Sequence, residues 1–499
     1  MIHYLNALTL TVITLLQKHG GKVYIVGGWI RDFLKNVPSH DIDLACSLVP
    51  SEVLKLNGHM CGDIQIQVID LGSEFGTVMV RAVDIITGQE LCCEVTTLRA
   101  DIQCDGRHAK VQFTDLIEID LARRDFTMNA IAYDLQTEEI IDPYNGIEDL
   151  KDNIIRAVGN PIDRYKEDML RMVRCCRFTG YYGGMKMENQ TFWAMYGLLD
   201  PNEYIQIFDK VVSKERIRDE IIKMMKVDKP SRCIWAMKDC GLLKYVFEPL
   251  VFTDVEQNKH HNESVFDHSL DACNYLPKDK PLLRLAGLFH DISKPESKAG
   301  EGDNCTFHNH EILGAKVVYH WAKDMKFSND DCEYLSRMVR GHMFHFEDNA
   351  KTKTIKKWMN KNKGIIDDLF LLRMADRASN RAKMALGKPL VTEYMTDLRK
   401  RIQDILDTKE PMSVKDLAIN GENLISMGFI PGPKFGKILD YLLEKVLEDP
   451  ELNQVETLKK LVKAKLWEEL ISNEPQIGVW CGVTPKMVKS EMFKKSWYM

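Results

Sequence analysis

The amino-acid sequence predicts an α+β N-terminal domain, a mixed β-sheet with helices, followed by all-α domains. The apolar run Val23-Tyr-Ile-Val26 reads as a strand that enters a glycine pair, and a short helix and a second strand follow it within the first 150 residues. From residue 151 onward, strand-like alternation nearly vanishes and apolar residues recur at helical spacing. The 499 residues are 45% apolar and 28% charged, which is enough to bury several cores.

The N-terminal run Leu5–Leu16 is apolar, but it has no basic leader and no small-residue cleavage site. Its leucines and Val12 recur at helical spacing, so it predicts a capping helix. No apolar run reaches the roughly 18 residues that a membrane-spanning helix needs. Thirteen scattered cysteines without CxxC pairs are typical of reduced thiols. We therefore expect a cytoplasmic protein without a membrane partner.

The first chemical motif joins a glycine pair to two aspartates. Gly27 and Gly28 follow the first strand, and a helix N-terminus behind them favours negative charge. Asp41 and Asp43 lie two residues apart on the second strand, so their side chains point to the same face. Two carboxylates on one face can hold Mg²⁺. The pattern predicts metal-dependent chemistry on a nucleoside triphosphate.

Two further arginine-rich motifs follow in the chain. Residues 123–130 read Arg-Arg-Asp-Phe-Thr-Met-Asn-Ala, and residues 167–178 read Glu-Asp-Met-Leu-Arg-Met-Val-Arg-Cys-Cys-Arg-Phe. With the first motif and Ser213-Lys-Glu-Arg216-Ile, this ordered set closely resembles class II tRNA nucleotidyltransferases, the CCA-adding enzymes, and their bacterial poly(A) polymerase relatives. Asn36 stands where that family usually has Gly, but Asn tolerates a left-handed backbone.

The resemblance implies template-independent transfer of nucleotides from CTP and ATP to the tRNA 3′ end. Asp41 and Asp43 are then the catalytic Mg²⁺ ligands of a two-metal mechanism. Gly28, Arg31 and Arg124 would bind the triphosphate, because guanidinium groups suit phosphate oxygens. Glu94 is either a third carboxylate near the metals or a surface strand residue.

Asp168, Arg171, Arg174 and Arg177 recur at successive i+3 positions, and we call them the ridge. The segment 167–177 is predicted to form one helix. Such spacing is usually a solvated salt-bridge ladder. In the family the ridge selects the base: an aspartate accepts from the exocyclic amino group of C or A, and an arginine donates to the ring nitrogen beside it. That reading is favoured here.

Three activities within the family stay open: CCA addition, partial addition of CC or A alone, and poly(A) synthesis. Residues 72–78, Gly-Ser-Glu-Phe-Gly-Thr-Val, resemble the CCA enzymes and lack the paired basic residues of the polymerases. Residues 97–109 resemble the flexible loop that A addition requires, and their Gly and polar content predicts a loop. Full CCA addition is preferred, and A addition alone comes second.

A second set of motifs begins at residue 261. An adjacent His-Asp pair after an apolar helix, with further histidines and a later aspartate, resembles the HD phosphohydrolase superfamily. The candidate ligands are His268, His290, Asp291, His310, His342 and Asp376. Imidazole and carboxylate ligands can hold one or two divalent metals (Mg, Mn, Ni or Co) that activate water against a phosphate ester. The alternative is an all-helical spacer that supports tRNA.

These motifs divide the chain into predicted domains. They are a nucleotidyltransferase head (1–150), a helical neck with the base-selecting helix (151–245), an HD domain (246–385), a helical tail that contacts tRNA (386–470) and an extension that matches no pattern (471–499). Net charge is −6, but RNA binding needs only local basic surface. The six lysines of residues 351–363 are candidates for it.

Two hypotheses from other classes remain. One is a catalytically silent RNA-binding protein. Loss of Asp41 or Asp43 would favour it, but both are present. In the other, the HD domain is the main enzyme and the head is vestigial. The intact ridge argues against it. The sequence leaves the oligomeric state open.

Overall fold

The computed structural model describes residues 5–39, 42–104, 109–199, 208, 211–257, 261–300, 302, 305–347, 349–408 and 410–471. For residues 101–104, 109–110 and 466–471 it describes the backbone alone. The chain forms two compact units, residues 1–342 with 371–388, and residues 343–370 with 389–499. The predicted domain boundaries are finer than this division and stay predictions.

The N-terminal part of the first unit contains one mixed sheet. Its strands are β1 (Val23–Val26), β2 (Asp43–Cys46), β3 (Met60–Cys61), β4 (Ile64–Gly72), β5 (Thr77–Asp84), β6 (Glu90–Thr97), β9 (Ala132–Asp134) and β10 (Ile140–Ile141). The strand order is β10-β9-β1-β2-β6-β5-β4-β3. Only the β2–β6 pair is parallel within this sheet; the other neighbours are antiparallel. The predicted α+β fold with a mixed sheet is confirmed.

Alternation of apolar residues explains how the sheet packs. Val78, Val80 and Ala82 of β5 are buried and alternate with more exposed neighbours, as a half-buried strand requires. The helix Ala7–Lys18 packs on the sheet with a buried face, and its N-cap Asn6 accepts a hydrogen bond from the Thr9 amide. The predicted capping helix is therefore present.

Residues 97–109, predicted to form a loop, largely form a β-hairpin instead. Strands β7 (Arg99–Cys104) and β8 (Ala109–Phe113) pair antiparallel, with Arg99 opposite Phe113. Residues 105–108 lie outside the described residues. The loop prediction was wrong for the strands because polar composition was read as irregular structure, whereas backbone pairing decides a two-stranded ribbon.

The rest of the first unit is mainly helical. Its helices and those of the sheet region are Gly28–Leu34, Pro50–Leu54, Ile117–Ala122, Gly146–Lys151, Pro161–Glu167, Leu170–Phe178, Asn189–Leu198, Lys214–Met224, Pro230–Cys240, Leu243–Val246, Val265–Tyr275, Pro281–Phe289, Lys294–Ser297, His310–Asp324, Asn329–Gly341 and Arg381–Ala385. Two short strand pairs accompany them, Ile154–Ile155 with Lys186–Met187, and Lys298–Ala299 with Thr306–Phe307.

The second unit is helical, with its own apolar core. Its helices are Thr352–Lys361, Glu393–Asp407, Gly421–Ser426, Lys434–Glu448 and Val455–Ile471, and the helix Ile366–Ser379 runs from residues of the second unit to residues of the first. Leu424, Leu442, Val446 and Leu458 are fully buried in this core. None of the helices in the described parts of the chain is long and apolar enough to cross a membrane.

The helix predicted over 167–177 is present as Leu170–Phe178, but it begins three residues later than predicted. The preceding helix ends at Glu167, and Asp168 between the two helices is extended, with φ −153° and ψ 101°. The predicted start was wrong because the Asp168 carboxylate accepts a hydrogen bond from the Leu170 amide at 3.1 Å, a local cap that competes with helix continuation. Asn36 adopts the left-handed backbone expected of it, with φ 54°.

Candidate functional site

The glycine turn lies directly against the strand that carries Asp43. Gly27 has φ 72°, and a Cβ built there would lie 2.8 Å from Asp43 Oδ2, so this position requires glycine. Gly28 begins the helix Gly28–Leu34, and a Cβ on it would lie 3.5 Å from Arg31 Nη2. Asp41, the other predicted metal ligand, lies outside the described residues. The turn, Asp43 and Arg31 are thus neighbours.

Glu94 is the candidate for a third carboxylate in this region. It lies opposite Asp43 in the parallel pair of β2 and β6, and such partners share one face of the sheet. Burial raises the pKa of Glu94, and the nearby Asp43 carboxylate adds to this rise while Arg99 opposes it. Two carboxylates on one face suit a divalent cation, and a metal role for Glu94 stays a prediction.

Arg31 is buried against residues of the neck. Its Nε donates to Tyr182 Oη at 2.6 Å, its Nη1 to Asn129 Oδ1 at 2.8 Å, and its Nη2 to Asp32 Oδ1 at 3.0 Å. Its guanidinium lies 5.2 Å from the Phe178 ring centroid. The predicted triphosphate ligand therefore also connects the head to the neck.

Arg124 follows the helix Ile117–Ala122 and is bound by a carboxylate of that helix. Its Nη2 donates to Asp120 Oδ2 at 2.9 Å and its Nη1 to the Asn129 carbonyl at 3.2 Å. Asp120 is buried and also binds Arg123 at 2.6 Å. Burial would raise the pKa of Asp120, but the two arginines outweigh it and lower that pKa. The role of Arg124 at the triphosphate stays a prediction.

Asp168, the first member of the ridge, is bound by an arginine from a different helix. Arg216 donates from Nη1 to Asp168 Oδ1 at 3.1 Å and from Nη2 to Oδ2 at 2.7 Å. This bidentate pair orients the carboxylate plane. Arg171 donates to Glu167 at 2.7 Å and to the Arg123 carbonyl at 2.8 Å, so it is fixed to the head–neck junction.

The remaining two ridge arginines bind buried carboxylates. Arg174 Nε donates to Asp125 Oδ2 at 2.8 Å, and Arg177 Nε donates to Glu220 Oε2 at 2.6 Å. Burial would raise the pKa of Asp125, but Arg174 and a hydrogen bond from Asn129 outweigh it and lower that pKa to about 2. The ridge is therefore a set of oriented ion pairs rather than a solvated ladder.

The six candidate ligands of the HD region converge on one buried cluster, with Asp291 at its centre. Asp291 Oδ2 lies 3.5 Å from His268 Nε2 and 3.2 Å from His290 Nε2. Asp291 Oδ1 lies 3.3 Å from His310 Nε2 and 3.7 Å from His342 Nε2.

The sixth candidate ligand, Asp376, lies next to His268. Its Oδ1 lies 3.2 Å from His268 Nε2. The ligand atoms of His268, His290 and Asp291 all lie within 4.8 Å of one another. The same holds for those of Asp291, His310 and His342. Asp291 is the member common to both.

The other nitrogen of each imidazole is anchored. Nδ1 of His290, His310 and His342 contacts the carbonyls of Gly287, Phe307 and Val339 at 2.8, 2.7 and 2.6 Å. Nδ1 of His268 lies 3.3 Å from Glu263 Oε1 and 3.1 Å from Ser379 Oγ. An imidazole that donates from Nδ1 to a carbonyl has its Nε2 lone pair available to a metal.

The cluster fits a divalent cation. His290 Nε2 is buried and makes no hydrogen bond among the described residues. Burial would lower the pKa of His268, but Asp376 and Glu263 outweigh it and raise that pKa to about 9, because the surroundings favour positive charge. Lys294 Nζ also lies 2.7 Å from Asp291 Oδ2. Divalent-metal use follows from this donor set.

The lysine run 351–363 contributes to packing in the second unit. Lys353 pairs with Glu448, Lys356 with Glu410, and Lys357 with Glu444 at 2.5 Å. These three side chains therefore face carboxylates, which reduces what they can offer to RNA phosphates. RNA contact by the run stays a prediction.

Several side chains of these sites were not predicted from the sequence. Tyr182 and Glu220 carry no motif of their own. Asp125, Arg216 and Lys294 lie within or next to the sequence motifs, but no role was predicted for them. A buried carboxylate within a helix such as Lys214–Met224 is the one available signal, because it requires a cationic partner.

Three protein families match separate parts of the chain. Residues 23–156 match the Poly A polymerase head domain, residues 209–252 the probable RNA and SrmB-binding site of polymerase A, and residues 259–381 the HD domain. The solved structure of the Bacillus stearothermophilus CCA-adding enzyme in complex with CTP has a TM-score of 0.63 at 24% identity and covers 93% of this chain and 98% of its own. That likeness shows the shared fold.

Two curated relatives extend over nearly the whole chain. The CCA-adding enzyme of Staphylococcus saprophyticus is 36% identical over 458 residues, which are 91% of this chain and 97% of the relative. The CCA-adding enzyme of Enterococcus faecalis is 29% identical over 458 residues, 91% of this chain and 94% of the relative.

The mixed sheet, the glycine turn and the carboxylate strand define an enzyme, a nucleotidyltransferase with a head of the poly(A) polymerase type. The near-full-length identity to its relatives shows that the chain belongs to the family of CCA-adding enzymes. Both the predicted family and the predicted HD domain are confirmed.

Proposed function

We propose that this nucleotidyltransferase adds CCA to tRNA 3′ ends from CTP and ATP without a nucleic-acid template. The observation that carries the proposal is the bidentate Asp168–Arg216 pair at the start of the ridge. It orients an acceptor carboxylate beside further arginine donors. This arrangement matches C and A, which both present an amino donor beside a ring-nitrogen acceptor, whereas U and G present the opposite order. A-addition alone and poly(A) synthesis are the alternatives within the family.

Asp41, Asp43 and Glu94 would hold the Mg²⁺ ions of the head. Bound Mg²⁺ stabilises the attacking and leaving oxygens of an in-line displacement. Gly28 presents backbone to the phosphates at the N-terminus of its helix. Arg31, near that turn, and Arg124 add positive charge for the triphosphate.

Primer extension tests the function. Transcripts of tRNA ending before C74 or after C75, and a poly(A) primer, are incubated with CTP or ATP supplied separately. We expect C on the first transcript and A on the second, with the reaction stopping at the mature end. Unlimited A addition to the poly(A) primer would overturn the proposal in favour of a polymerase.

Asp43→Asn is the matched catalytic test, with Asp63→Asn as its control because Asp63 is exposed and lies outside the carboxylate face. We expect the first variant to lose incorporation by more than a thousandfold and the second to retain it. Equal activity of the two variants would contradict the metal role of Asp43.

A second candidate function belongs to the HD cluster, and its converging Nε2 atoms around Asp291 favour it. We infer that His268, His290, Asp291 and Asp376 hold one divalent metal, and that Asp291, His310 and His342 hold another. A metal here supplies activated water for hydrolysis of a phosphate ester. Asp376 is the most exposed of the six side chains, so substrate would approach from its side.

Metal-dependent release of phosphate from a 2′,3′-cyclic nucleotide separates a hydrolase from a spacer. Wild type is compared with His290→Ala and with His320→Ala, a control on the exposed surface of the helix His310–Asp324. We expect loss of hydrolysis in the first variant alone. No hydrolysis by metal-loaded wild type, or no difference between the variants, would favour the spacer.

A further inference from the structure

Tyr182 has a strained backbone directly after the ridge helix, the helix Leu170–Phe178. Its φ is 50°, in the left-handed region, and aromatic residues rarely adopt that conformation. Such strain persists only where the surrounding contacts enforce it. The contacts that do so here come from the head domain.

The Tyr182 hydroxyl completes a closed set of hydrogen bonds with two consecutive residues of the head. It accepts from Arg31 Nε at 2.6 Å and donates to Asp32 Oδ1. Arg31 Nη2 donates to the same Asp32 oxygen at 3.0 Å. Burial raises the pKa of Tyr182 and Asp32 adds to the rise, while Arg31 opposes it; the hydroxyl therefore stays protonated and able to donate.

Arg31 lies between the glycine turn (Gly27 and Gly28) and aromatic residues that contact the ridge. A Cβ on Gly28 would lie 3.5 Å from Arg31 Nη2, so the guanidinium lies next to the turn. Its carbon lies 5.2 Å and 5.4 Å from the Phe178 and Tyr181 ring centroids. Arg177 of the ridge donates to Tyr181 Oη at 2.6 Å. A continuous set of contacts thus joins the ridge to the turn.

We propose that Tyr182 is a positioning residue that fixes Arg31, and with it the glycine turn, relative to the base-reading ridge. This inference rests on the proposed nucleotidyl transfer. One enzyme that reads C and A with a single ridge needs the triphosphate at one distance from that ridge for both nucleotides. Tyr182 supplies the distance constraint, since its hydroxyl is the neck group bonded to both Arg31 and Asp32.

Tyr182→Phe is the direct test, because it keeps the ring beside Arg31 and removes the hydroxyl alone. We expect the KM for CTP and the KM for ATP to rise by the same factor, about tenfold or ~1.4 kcal/mol, with kcat within about threefold of wild type. A merely structural role would lower kcat through loss of folded enzyme and leave both KM values unchanged. Tyr196→Phe, on an exposed tyrosine of the helix Asn189–Leu198, is the control and should match wild type.

A double-mutant cycle with Asp32→Asn tests whether Tyr182 acts through this set of bonds. We expect the double variant to be no worse than the poorer single variant, because both remove the same constraint. Fully additive losses, or a change in KM for one nucleotide only, would overturn the inference.

Equilibrium binding of CTP and ATP to wild type distinguishes failure of the inference from failure of the proposed function. Absence of binding and incorporation in wild type would remove the proposed function and the inference together. Normal wild-type activity with unaltered KM in Tyr182→Phe would remove the inference alone.

Discussion

Arg216 donates hydrogen bonds from both terminal nitrogens of its guanidinium to the Asp168 carboxylate, at 3.1 and 2.7 Å. The two residues are 48 positions apart in the sequence. Asp168 is extended rather than helical, so its carboxylate leaves the line of the ridge helix and meets the helix Lys214–Met224. The acceptor of the proposed base-reading group is therefore oriented by a residue that does not itself belong to the ridge.

Replacement of Arg216 by Lys should relax base selection. Lysine keeps the charge but cannot hold both carboxylate oxygens in one plane. We expect discrimination of CTP and ATP against UTP and GTP to fall by about tenfold, measured as ratios of kcat/KM. The control is Arg218→Lys, because Arg218 lies on the same helix and pairs with exposed Asp219. Unchanged discrimination in Arg216→Lys would contradict the orienting role.

The Arg177–Glu220 pair should be a major source of stability in the neck. The two side chains are 5% and 3% exposed, and removal of one partner leaves a buried charge. We expect Glu220→Gln to lower the free energy of unfolding by about 3 kcal/mol in urea. Glu148→Gln, in an exposed pair with Lys151, should change it by less than about 0.5 kcal/mol. Similar losses in both variants would contradict this ranking.

Asp125 should make stability depend on pH in the acid range. Its folded pKa of about 2 lies below the unfolded value of about 3.9, so its stabilisation is complete above the unfolded pKa and is lost as pH falls through the folded pKa. We expect the stability difference between wild type and Asp125→Asn to shrink by about 2 kcal/mol from pH 5 to pH 2. Denaturant unfolding at each pH measures it, and a constant difference would contradict the Arg174 pairing.

Asp291→Asn should remove more bound metal than His342→Ala. Asp291 contacts both histidine sets of the HD cluster, whereas His342 belongs to one. Metal content by mass spectrometry, after loading with Mn²⁺ or Ni²⁺ and desalting, should fall to nearly zero in the first variant and by about half in the second. Full retention of metal in Asp291→Asn would contradict the cluster as a metal centre.

Local patterns predicted the parts of this enzyme that lie close together in sequence. The glycine turn and Asp43 lie on consecutive elements, and His290 and Asp291 are adjacent, so each pair could be recognised in a short stretch of sequence. The break at Asp168 was missed because i+3 spacing continues through it, and only its side-chain cap interrupts the helix. The hairpin of β7 and β8 was missed because polar residues say little about strand pairing.

Long-range partners could not be predicted from spacing. Glu220 meets Arg177 from 43 residues away, and Tyr182 meets Arg31 from 151 residues away. The first pair arises from packing of two helices within the neck and the second from packing of the neck on the head. In both, a buried charge requires a partner that no local pattern specifies.

The most direct measurement is the sequence that wild-type enzyme adds to a tRNA transcript lacking its 3′ CCA when all four nucleoside triphosphates are present at equal concentration. Sequencing of the product ends should show C, C and A in that order, followed by termination. Addition of U or G, or a run of A beyond one residue, would contradict selection of C and A by the ridge.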